Sequence, residues 1–142
     1  MSSETVLAVE RAHVLGLALW GSAGVLFGGG MVAYLMARRL RAGLLRHFAA
    51  QMTAWGAAEL IVAVLRWRGL APRDYAATTR LLALVRVALL AEAGCIVIGA
   101  TLALGGWRVS RRSGALGAGL GIIVQGAALL LLDSVLLHRL AG

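Results

Sequence analysis

The sequence predicts an all-α, polytopic membrane fold: four transmembrane helices in an up-down bundle, with residues 1–142 forming a single domain. Two observations predict it. The first is composition. Of 142 residues, 61% are hydrophobic and 14% charged, and the mean hydropathy is +0.87, so too few polar groups are present to cover the surface of a soluble domain. The second is arrangement. Four apolar runs, at about 13–37, 48–65, 81–106 and 114–137, each approach or exceed the roughly 20 residues that cross a bilayer core as helix, and short arginine-bearing connections separate them.

The first run, His13–Ala37, carries no charge, and Glu4 and Glu10 stand before it where a signal peptide would have a basic cluster. It is expected to persist as the first transmembrane helix. Gly16, Trp20, Gly24 and Gly28 recur at spacing four on one stripe, the mark of a close helix contact in lipid. The run Gly28-Gly29-Gly30 is not a phosphate loop, because it lies within an apolar helix and follows no strand. The second run, Phe48–Leu65, has Glu59 in its middle, on a polar stripe with Gln51, Trp55 and Arg66. The connection that follows holds the one proline, Pro72 in GLAPRDY, where the hairpin is expected to turn. The third run, Leu81–Gly106, includes Arg86, Glu92 and Cys95, and the fourth, Gly114–Leu137, carries Gly117, Gly121, Gln125 and Asp133. The glycine stripes of the first and fourth runs are expected to join those two helices, or to form a dimer face.

All fourteen basic residues are arginines, and the pI is near 11.6. They flank apolar runs as membrane anchors do, so no nucleic-acid partner is expected. In a four-helix topology the termini and second connection share a side. That side holds Arg11, Arg66, Arg68, Arg73, Arg80 and Arg139; the other holds Arg38, Arg39, Arg41, Arg46, Arg108, Arg111 and Arg112. Six against seven leaves the orientation nearly balanced, tilted toward cytoplasmic first and third connections by their denser clusters, and compatible with dual insertion as an antiparallel dimer. A multi-pass protein of the bacterial inner membrane is the expectation.

Ionisable groups inside apolar runs are expensive and call for partners. Counted from the second-connection side at 1.5 Å per residue, Glu59, Arg86 and Asp133 lie about 9–10 Å deep, which predicts one ion-pair layer with the guanidinium between two carboxylates. A deeper polar layer holds Glu92 at about 18 Å and Gln125 at about 21 Å. Arg86 is six residues from Glu92, about 120° around the helix, so Glu92 is expected to be neutral and hydrogen-bonded, with Gln125 as its partner. His13 and His138 fall near one membrane face and are weak candidates for a haem or metal pair, though no second-shell pattern accompanies them. Cys95 shares a face with Glu92 but has no histidine at its depth, so nucleophilic catalysis is not expected. No CxxC, CxxCH or HExxH occurs, and no cofactor is expected.

QMTAWG in the second run and GLGIIVQGAALLLLD in the fourth resemble an uncharacterised bacterial family of small four-helix membrane proteins, in which a Gln-Gly and an Asp recur at the ends of a helix-four motif. The resemblance covers most of the chain. It implies attention to Gln125, Gly126 and Asp133, and it brings no activity with it. Likeness to small multidrug exporters and fluoride channels is one of size and helix number only. The expected role is a non-enzymatic accessory or assembly subunit of a membrane complex; the alternative is a small proton-coupled transporter or channel using its intramembrane carboxylates. Expected partners are the lipid bilayer and other membrane-protein subunits or a second copy of the chain.

Overall fold

The computed structural model describes residues 2–108 and 112–141; Arg111, counted above in the third connection, lies outside them. Four helices follow in order: α1 (Ser3–Ala37), α2 (Gly43–Arg68), α3 (Tyr75–Arg108) and α4 (Ser113–Ala141), all long and apolar enough to cross a membrane. They extend past the apolar runs because capping chemistry, not hydropathy, sets their ends. At the start of α1, Ser2 caps: its hydroxyl accepts the Thr5 backbone N–H at 3.2 Å, with Glu4 in the first turn where the helix dipole favours it. Asp74, two residues after Pro72, does the same for α3, accepting from Ala77 N at 2.7 Å. The α1–α2 turn places Arg39 at φ 52°, the left-handed region, while the Leu40 N–H returns to the Leu35 carbonyl.

Buried positions recur at steps of three and four. In α1 they include Val6, Glu10, His13, Leu17, Gly21, Gly24 and Gly28; in α2, Ala49, Met52, Gly56, Glu59 and Ala63. In α3 the seam is Val85, Glu92, Gly99 and Gly106, each seven residues from the last. This is the spacing of helices that cross at a shallow angle. The helices are not arranged as a square. Extensive contact joins α1 to α2 and α3 to α4, α2 packs against α4, α1 touches α4 less, and α2 and α3 are not packed on each other.

Glycines allow these contacts, and they correct the expected pairing. Rather than joining α1 to α4 alone, the stripe on α1 is shared with α2: a Cβ at Gly24 would lie 3.0 Å from the Met52 carbonyl oxygen, and one at Gly28 would lie 2.6 Å from that of Ala49. Toward α4, Gly16 meets Leu132, Trp20 donates its indole N–H to Gln125, and a Cβ at Gly24 would also lie 3.4 Å from the Gln125 amide. On α4, Gly117 and Gly121 also face α2, against Leu44 and Gln51, whereas Gly119 and Gly126 face α3. Spacing at four identifies a face but carries no information about which helix covers it. Large apolar side chains such as Leu26, Ile61, Leu90 and Leu131 point outward, as a lipid-facing surface requires.

Candidate functional site

Buried polar groups collect at the end of the bundle where α1 begins, α4 ends and the α2–α3 connection turns. Outermost is Arg73 of that connection. Its Nε and Nη2 donate to the two carboxyl oxygens of Glu10 at 2.6 and 2.9 Å, a bidentate pair that pins the connection onto α1. Glu10's hydrogen bonds hold the Arg73 guanidinium above its usual range, so it stays charged. One turn deeper on α1, His13 Nε2 lies 3.1 Å from Asp133 Oδ1 of α4 and 3.1 Å from Arg66 Nη1 of α2. A single ring nitrogen can donate to the carboxylate or accept from the guanidinium, not both at once. His13 therefore sits between two hydrogen-bonding states that differ in the position of a proton.

The network continues inward. The Glu92 carboxyl of α3 lies near that of Asp133, and among the described residues no donor reaches its Oε2. Ionised carboxyl oxygens only accept, so these two carboxyls can hydrogen-bond each other only when one of them carries a proton. Glu92 stands near the middle of the 34-residue α3. Beside it, Gln125 is 1% exposed; its Oε1 accepts from the Trp20 indole N–H, and its Nε2 lies 3.5 Å from the Met52 carbonyl. The sequence Arg73–Glu10, Arg66–His13–Asp133, Glu92 thus runs from a connection to the centre of the bundle. A cavity of about 200 Å³ lies along its outer part, lined by Glu10, His13, Arg66 and Arg73 together with Val85 and Leu136.

This arrangement replaces the expected ion-pair layer. Arg86 is exposed and lies beside neither Glu59 nor Asp133; it lines a surface hollow with Asp74 and Tyr75. Val85, one residue away, occupies the buried seam of α3, and a neighbour 100° around a helix faces elsewhere. Asp133 takes His13 as its partner instead. Glu59 is buried, and among the described residues neither of its carboxyl oxygens has a hydrogen-bond partner. The deeper layer is also rearranged: Glu92 turns to Asp133, and Gln125 to Trp20 and Met52. Nor do the two histidines form a ligand pair. His13 is buried in the network while His138 is exposed, and the described residues contain no group of three or more His, Cys, Asp or Glu placed to hold a metal.

Residues 16–134, most of the chain, match the model of DUF6992, a family of unknown function. The chain belongs to that family. The matched segment of this DUF6992 protein includes Glu59, Arg66, Glu92, Gln125 and Asp133, whereas Glu10 and His13 precede it. No curated protein matches the chain, and no solved structure does.

Run length and spacing do not single out Glu10, Arg66 and Arg73 as site residues, and they set His13 near the membrane face. A signal existed. Ser2 followed by Glu4 and Thr5 is a helix-start pattern. Starting α1 there puts His13 ten residues in, a level comparable to that of Asp133, eight residues before Ala141.

Proposed function

We propose that this DUF6992 protein is a non-enzymatic integral protein of the bacterial inner membrane that conducts protons along half of its thickness, as a small proton-coupled transporter or channel. The observation that carries this reading is the position of His13 Nε2, equidistant from Asp133 and Arg66, with Asp133 in turn against Glu92. A proton on Glu92 can pass to Asp133, from Asp133 to the imidazole, and from the imidazole to the polar cavity beside Arg73. Each step needs only a hydrogen-bonded neighbour of the kind the bundle supplies. A purely structural polar core would be satisfied by fixed donors; this one leaves a carboxyl oxygen without one.

Purified protein in liposomes enclosing a pH-sensitive dye, under an imposed potential, tests the reading. Proton uptake should appear with the wild-type chain and fall at least tenfold in His13→Gln and in Glu92→Gln. Equal uptake by wild type and both variants would end it.

The accessory-subunit reading has one observation in its favour. Helix α3 packs mainly on α4 and turns Leu84, Val87, Leu90, Val97 and Ile98 outward, an apolar face that a neighbouring subunit could cover as well as lipid. Extraction from native membranes in mild detergent separates the two: a stable heterologous complex supports the subunit role, an isolated chain or dimer the transporter.

A further inference from the structure

Because α2 and α3 are not packed on each other, a groove opens between them with α4 as its floor. It measures about 210 Å³. Trp55 of α2 forms one wall, and Ala88 and Ala91 of α3 form the other; Ile122 and Leu129 of α4 line the floor. The small side chains on α3 leave the space. Into this apolar groove one ionisable oxygen-bearing group enters, Glu92, which is 9% exposed and whose Oε2 receives no hydrogen bond. Gln125 also borders the groove but is engaged by Trp20 and Met52.

The chemistry of this lining selects its occupant. An anion would meet Glu92 with Asp133 behind it. A neutral hydrocarbon would fill the walls and leave the carboxyl unserved. A metal ion needs several oxygen or nitrogen ligands, which the groove does not offer. A cation with an apolar body satisfies all of it: the charge against Glu92, the Trp55 indole lining the same groove, and hydrocarbon against alanine, isoleucine and leucine. We propose that this groove binds a small amphiphilic ammonium, alkyl or aryl, in exchange for the proton held at Glu92. The inference rests on the proton-pathway reading above and names the substrate class of that same site.

Charge balances in the exchange. The groups around Glu92 are Asp133 from α4, Arg66 from α2, Cys95 on its own helix and, behind Asp133, His13 from α1. Arg66 is hydrogen-bonded to His13 and does not line the groove. When the ammonium arrives, the proton leaves Glu92 for Asp133 and His13 and exits at the Arg73 end; one positive charge replaces another at the centre of the bundle. Return of the proton expels the cation.

The test uses the purified full chain in detergent, with benzyltrimethylammonium as the probe and its uncharged isostere neopentylbenzene as the control, titrated calorimetrically in two buffers of different ionisation enthalpy. The ammonium should bind at least tenfold more tightly than the hydrocarbon and release a proton as it does. Glu92→Gln should weaken the ammonium at least tenfold, abolish proton release and leave hydrocarbon binding unchanged; Trp55→Leu should weaken the ammonium several-fold. Equal binding of the two probes, or ammonium binding without proton release, overturns the proposal, and both readouts need only the wild-type chain. Proton flux in liposomes with no preference for the ammonium would remove the ligand and keep the pathway. Ammonium binding with no flux would do the reverse.

Discussion

The two ends of the bundle are held by opposite means. At the end where α2 and α4 begin, backbone meets backbone: Gly28 lies on Ala49, Gly117 on Leu44, Gly119 on Gly99 and Ala103, and Gly106 on Ala115 and Leu116. At the other end side chains fill the interior, and they include Glu10–Arg73, His13–Asp133 and His13–Arg66. Glycine contacts admit one geometry, since any added atom collides. Polar contacts admit several, because a proton or a rotamer can exchange partners. The difference teaches where a chain with no soluble domain among its described elements can hold a rigid frame and where it can change state.

The largest effect should come from filling a glycine contact. A Cβ at Gly117 would collide with the Leu44 carbonyl oxygen, so even Gly117→Ala forces α2 and α4 apart at about 1–3 kcal/mol. Gly117→Val should prevent folding, seen as loss of the monodisperse peak on size exclusion. Gly29→Ala is the control, since nothing lies within 4 Å of a Cβ there; it should be neutral or slightly stabilising, given alanine's advantage of about 1 kcal/mol in a helix. If both variants behave alike, the glycine end is not the frame.

Next in size are the buried polar groups, and here the sign should differ between sites. His13→Leu leaves Asp133 without its imidazole partner and should destabilise by about 1–3 kcal/mol. Glu59→Met should stabilise by about 1 kcal/mol, because neither carboxyl oxygen of Glu59 has a hydrogen bond to lose. Reversible unfolding in mixed micelles measures both. A destabilised Glu59→Met would show that Glu59 has a partner and would make the polar end more tightly tied than described.

The smallest effects should lie at the surface. Arg73→Gln removes an ion pair whose arginine side chain is 31% exposed, and about 0.5–1 kcal/mol is expected, declining with added salt. The arginine's part in the pH dependence follows from the sign of the shift: a guanidinium held above its usual range stays charged at lower pH and is lost only in strong alkali, so its titration should contribute nothing between pH 5 and 9. Arg86→Leu should change stability by less than about 0.5 kcal/mol. A large loss in Arg86→Leu would restore the ion-pair layer inferred from depth.

How much of this was legible in the sequence follows the same division. Four membrane-length helices could be read because apolar length and flanking arginines report directly on the bilayer. The glycines could be recognised as packing faces, but not matched to partners, because partner choice depends on the order of helices across the bundle. Glu92 and Asp133 were visible as buried carboxyls. Their connection was not, because depth along a helix fixes one coordinate and the contact needs two. The seam Val85, Glu92, Gly99 and Gly106 held the missing angle, with Glu92 on it and Arg86 off it. His13 needed the helix start at Ser2, which lies in the polar stretch that hydropathy ignores.

The most direct test of the account is whether Asp133 and Glu92 hold one proton between them. Infrared difference spectroscopy of the folded protein across a pH titration reads the carboxylic C=O stretch, and a Glu59→Gln background removes the buried carboxyl that has no hydrogen-bond partner among the described residues, leaving Glu10 paired with Arg73. The account predicts one protonated-carboxyl band in that background, shifted or lost in Glu92→Gln and also in Asp133→Asn. A band that Glu92→Gln removes and Asp133→Asn leaves untouched would mean that Glu92 holds its proton alone, and the pathway from the centre of the bundle to His13 would be broken at its first step.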